Sequence, residues 1–167
     1  VTLGTSAPNK NISVRVQENQ TWTNNSAGTL NIRNNAAASD TAGGPVVLTM
    51  SVTGAGTISN SGAFSDGAAG SLGLVIDSSG SGLVGIQNGV YSGGTFIKQG
   101  ILQTSGTNIG TQAVKLGDTS GSGNATLRLN ANAAVTTALS VQAGNNGTNT
   151  LEFNVANGEL DGAISLN

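Results

Sequence analysis

The chain has 167 residues, an apolar fraction of 37%, five aromatic residues and a formal charge of −2. That length suits a single domain over 1–167, and so few aromatic side chains argue against a thick globular core. The six cations (Lys10, Arg15, Arg33, Lys98, Lys115, Arg128) are scattered singly, which gives nucleic acid no basic stripe to hold.

In chain order, the first elements are short alternating runs at 12–16, 29–32 and 47–52, each with the period of a strand that buries one face. A further run at 72–77 leads into Gly80-Ser81-Gly82-Leu83-Val84-Gly85, which has the spacing of a dinucleotide-binding loop. That loop must open a helix to hold a pyrophosphate, and the following IQNGVYSGG cannot form one. No window has the three-and-four spacing of a helix, and Gly, Asn, Ser or Thr interrupts every stretch of ten.

In the second half the beat becomes regular. Leu102, Leu116, Leu127/Leu129, Leu139/Val141, Leu151/Phe153/Val155 and Ile164/Leu166 recur at roughly twelve-residue intervals, as evenly spaced short strands do. The spacing fits a sandwich, a barrel or a coil. Scarce aromatics favour a coil with a narrow aliphatic interior, and so does internal self-similarity. TLNIRNNAAA (29–38) parallels TLRLNANAAV (126–135), and VTLGTS (1–6) parallels VKLGDTS (114–120). LTMSV then GAFS (48–65) parallels LEFNV then GAIS (151–165). Asparagines beside the strands, such as Asn31, Asn34, Asn35, Asn130, Asn132 and Asn154, suit turn dihedrals and amide ladders between layers. The expected fold is all-β, a solenoid of roughly seven rungs, two principal strands per coil and about 34 Å in length.

The segment Tyr91-Ser92-Gly93-Gly94-Thr95-Phe96-Ile97-Lys98-Gln99-Gly100-Ile101-Leu102-Gln103 resembles the autotransporter-associated β-strand repeat of bacterial passenger domains. The likeness extends from about Gly85 to Asn167. It implies a right-handed parallel β-helix, exported to the cell surface or beyond, that forms the stalk of a larger protein. The motif residues are Tyr91, Gly93, Gly94, Thr95, Gly100 and Leu102, with structural roles and no catalytic ones. In physical terms, Gly93-Gly94 permits a tight bend, Thr95 begins a strand and Gly100 turns the chain into the next. Tyr91 is expected to stack over the corner, its hydroxyl reaching water or a backbone group.

Catalytic chemistry has little to draw on. The chain has no histidine and no cysteine, which removes Ser-His-Asp triads, Cys-His pairs and thiolate or imidazole metal sites. Among the acids only Glu159 and Asp161 stand close in sequence, without aromatics or cations around them to bind a sugar. The loop 118–124 offers calcium one carboxylate. The expectation is therefore a non-enzyme without cofactor or metal. No run of 18 apolar residues is present to span a bilayer as a helix.

An open coil end templates pairing with further strands unless it is capped. Neither terminus carries a cap, and Ile164-Ser165-Leu166-Asn167 resembles Val1-Thr2-Leu3-Gly4. Val1, Leu3, Ile164 and Leu166 are thus the candidate end-to-end contacts, either with more of the same polypeptide or with another copy. The expected function is an extracellular stalk or fibre subunit. The alternative is an adhesin segment binding glycans or neighbouring cells through Trp22, Tyr91 or the loops at 34–45 and 142–149.

Overall fold

The computed structural model describes residues 2–3, 14–33, 35–38, 44–130, 134–144, 146–156 and 158–167. Among them there is no helix, and every strand pairing is parallel. The chain winds as a β-solenoid of about six turns, with strands stacked layer upon layer.

Each turn visits three faces, not the two that the twelve-residue beat suggests. Face 1 begins with Thr2–Leu3 and Thr29–Ile32, continues through 57–60, 83–86 and 101–104, and ends with Ala125–Leu129 and Asn149–Phe153. Face 3 stacks Gln20–Asn24, Val46–Val52, Leu72–Asp77, 95–97, Val114–Leu116, Leu139–Val141 and Ile164–Leu166. Between them lies face 2, with Val14–Val16, Ala36–Ala38, 63–65, 88–90, a single bridge at Ile109, Ala134–Val135 and Glu159–Leu160. Apart from Val14–Val16, inside the run read at 12–16, face 2 escaped the sequence pattern because its segments are two or three residues long, too short to show an alternation.

The side-chain period of two puts one residue of each pair inside. Val46–Val52 alternates buried and half-buried positions along its whole length. On face 3 the inward column runs Trp22, Met50, Ile76, Ile97, Leu116, Val141 and Leu166. On face 1 it runs Leu30, Ile58, Val84, Leu102, Leu127 and Leu151. Each rung thus rests one aliphatic group on the next, with dispersion contacts above and below.

Of the three internal parallels, one is structural. Leu30 and Leu127 stand in the same inward column of face 1, and both segments then turn into face 2. LTMSV lies on face 3 and LEFNV on face 1, one face out of step. VKLG opens on face 3 whereas Thr2–Leu3 lies on face 1; Val1 and Gly4–Ser6 are outside the described residues. An amide ladder forms at one corner, where Asn154 Nδ2 donates to Asn130 Oδ1 of the layer before at 3.1 Å. Asn31 faces outward in a strand, while Asn34 and Asn132 fall outside the described residues.

One coil is shorter than the rest. Thr29 pairs with Thr57 and Thr57 with Leu83, steps of 28 and 26 residues, but Leu83 pairs with Ile101 after only 18. Later steps return to 25 and 24, as Ile101 pairs with Thr126 and Thr126 with Thr150. The short coil holds the Tyr91 segment.

Candidate functional site

The short coil is built around a buried tyrosine. Leu83–Val90 runs along faces 1 and 2, and Ser92 to Gly94 turns the corner. Thr95–Thr104 then covers face 3 and bends into face 1 as one strand. Gly94 and Gly100 have φ of 79° and 93°, the left-handed region that only glycine enters without strain. A bulge between Ile97 and Gln99 prepares the bend at Gly100. Gly93 serves by size instead: a Cβ there would meet the Leu72 carbonyl oxygen at 2.5 Å. Leu102 is fully buried in the inward column.

Tyr91 does not lie over the corner but inside it, fully buried. Its ring meets Phe64 edge to face, with centroids 6.4 Å apart and planes at 87°, a favourable quadrupole arrangement. The hydroxyl turns to a side chain. Tyr91 Oη donates to Thr95 Oγ1 at 2.6 Å, and Thr95 Oγ1 donates onward to the Ile109 carbonyl at 2.8 Å. Burial pushes the Tyr91 phenol well above its ordinary value, against the opposing pull of the Thr95 bond. Such a chain satisfies every polar atom that the ring carries inward, which is what allows it to be buried.

Asp66 closes the neighbouring turn. Its Oδ1 accepts the Leu72 amide at 2.7 Å, and both carboxylate oxygens accept the Ser92 amide of the next layer at 3.1 Å. Burial by itself would raise its pKa, but the bonds from Leu72 and Ser92 outweigh it and hold the group below the usual carboxylate value. Asp66, Phe64 and Ile109 were not singled out by sequence reasoning. Apart from Leu72, six residues after Asp66, their partners lie 14 to 27 residues away in the chain, so only the coil stride could have linked those.

The remaining candidates separate. Glu159 is exposed at the end of the last face 2 strand, and Asp161 follows outside it. Among the described residues no three His, Cys, Asp or Glu gather to hold a metal ion, and no helix is long and apolar enough to cross a membrane. Leu83 to Gly85 of the Gly-rich segment are strand, with no helix after them. Trp22 packs against the core, its Nε1 donating to Gln20 Oε1 at 3.3 Å. Tyr91, fully buried, presents no open ring to a sugar, whereas Trp22 is half-buried. Of the loops, 34 and 39–43 lie outside the described residues, as does 145.

Of the four end residues, Val1 is outside the described residues, and the backbone of Leu3 pairs with Ile32. Ile164 and Leu166 lie in the last layer, 58% and 82% exposed, and Phe153 beside them is 46% exposed. One layer earlier the same columns hold Leu139 and Leu129, both buried, and Val141, half-buried. No family model, curated protein or solved structure matches this chain.

Proposed function

We propose that the chain is a structural shaft segment of an extracellular bacterial surface protein or fibre, related to autotransporter-associated repeats, whose coils continue end to end. The observation that carries this reading is the last layer. Ile164, Leu166 and Phe153 point along columns that hold side chains in every layer before them, and among the described residues no strand pairs with the outer edge of theirs. Such an edge favours one more rung, supplied by further polypeptide or by another copy. Head-to-tail contact between unlike ends propagates without closing, as a fibre requires.

Composition supports the same reading. A shaft needs a cooperative backbone ladder and few titratable groups, and only 8% of this chain is charged. The exported location rests on the Tyr91–Gln103 resemblance and on the polar, cysteine-free composition.

The test is the assembly state of the purified 167-residue chain, by electron microscopy and sedimentation. Rods that lengthen with concentration are expected, shortened by Leu166→Asp, which places a charge in the end column. A monodisperse monomer at all concentrations overturns end-to-end stacking.

A further inference from the structure

The outer side of face 3 carries a groove of about 320 Å³. It crosses four layers: Val47 lies in the first, Gly73 in the second, Gly93, Gly94 and Phe96 in the third, and Gln112 and Lys115 in the fourth. Two causes produce it. Gly73 stands in the outward column where the layer before has Val47, so the column loses its side chain there. The Gly93-Gly94 turn then keeps the next corner close against the Leu72 carbonyl, with Gly93 N donating to it at 2.9 Å.

Phe96 is the aromatic ring that this wall presents. Phe64 and Tyr91 are fully buried, Trp22 packs on the core, and Phe153 lies in an inward column at the coil end. Phe96 alternates with buried Thr95 and Ile97, so its side chain is directed outward and is half-buried. Lys98 Nζ lies 5.6 Å from the ring centroid, and exposed Lys115 is the register partner of Phe96 in the following layer. Two of the six cations in a chain of net charge −2 therefore flank one ring.

We propose that this groove binds an acidic saccharide, a uronate-containing chain lying along face 3. The C–H face of a pyranose packs on an aromatic ring, its hydroxyls suit the Gln112 amide and the glycine backbone, and its carboxylate suits the Lys115 ammonium that lines the groove. The size points the same way. A volume near the lower end of small-molecule sites, about 300–1,000 Å³, holds one or two sugar rings. An apolar protein partner would find a single aromatic ring, with Gln112 and Lys115 beside it. The site stands apart from the coil ends and holds whether or not the coils stack.

The test is calorimetric titration of the folded chain with tetragalacturonate and, in parallel, with the neutral tetrasaccharide maltotetraose. Saturable binding of the uronate is expected, at least tenfold tighter than the neutral sugar and weakened by added salt. Phe96→Ala and Lys115→Glu should each weaken it at least tenfold. Lys115 is exposed, so its variant reports on the site even if Phe96→Ala lowers stability. No binding, equal binding of both sugars, or binding indifferent to both substitutions overturns the proposal. So does a Phe96-dependent self-association without sugar binding, which would make the groove a contact between shafts.

Discussion

The Tyr91 ring fills the space that a side chain on Gly110 would need: a Cβ built there would lie 2.9 Å from ring carbon Cε2. Gly89, on the strand paired with Ile109, would clash with the same ring from its own position. The two glycines form a slot, and the slot lets a large aromatic group enter a coil otherwise filled by aliphatic side chains. Phe64 closes it from the preceding layer.

Two glycines separate packing from backbone strain. Gly110 and Gly121 have similar φ, 97° and 105°, but nothing lies within 4 Å of a Cβ on Gly121. Gly121→Ala should cost about 1 kcal/mol, the strain of the left-handed backbone alone. Gly110→Ala should cost about 3 kcal/mol, because the ring must also move in a dense interior. Urea denaturation of both variants measures the difference. Equal costs would show that the Tyr91 ring yields freely and that the slot is not tight.

The parts of the fold legible in the sequence are those written on consecutive residues. Val46–Val52 alternates over enough positions for a buried face to be read directly, as the run at 47–52 was. The stride of about 24–25 residues in the later coils follows from a twelve-residue beat, although that beat counts two faces and the coil has three. Ala36–Ala38 and the lone bridge at Ile109 carry no period, so beyond the run at 12–16 face 2 was not readable. The motif Tyr91 to Leu102 located the tight corner, but not the direction of the tyrosine. Its burial depends on Gly89, Gly110 and the Ile109 carbonyl, which become neighbours only when layers stack. The outward Phe96 was likewise readable only once Ile97 was known to face in.

Tyr91 makes the fold sensitive to alkali. Its phenol is raised in the folded state by burial, so folding favours the neutral form. A group raised above its unfolded value contributes stability that is complete below that value, about 10 for tyrosine, and is lost as pH rises beyond it. Chemical denaturation between pH 8 and 11 should therefore show the folded state weakening above about pH 10. Tyr91→Phe is the control. That variant should lose about 1 kcal/mol near neutral pH with the missing hydroxyl bond, and its stability should fall less steeply in alkali. A variant with the same alkaline slope as the parent would exclude Tyr91 as the source.

Asp66 gives the opposite dependence at the acid end. Burial raises its pKa, but the Leu72 amide and the Ser92 hydroxyl and amide outweigh it and leave the folded carboxylate below its ordinary value. A depressed group contributes stability that is present above its unfolded pKa, near 3.9, and is lost as pH falls through the folded one. Stability should thus decline below about pH 4, with Asp66 as one contributor. In Asp66→Asn the side-chain oxygen can still accept the Leu72 amide, while the charge-assisted bond to Ser92 of the next layer is weakened. The variant should be less stable at pH 7 and closer to the parent at pH 2.5, a convergence that urea denaturation at the two pH values measures. A gap that stays constant would assign the effect to packing around the turn instead of to the charge. Because Ser92 precedes Gly93-Gly94, loosening this bond should also raise amide hydrogen exchange at Ser92 and Gly93 ahead of Leu102 in the core.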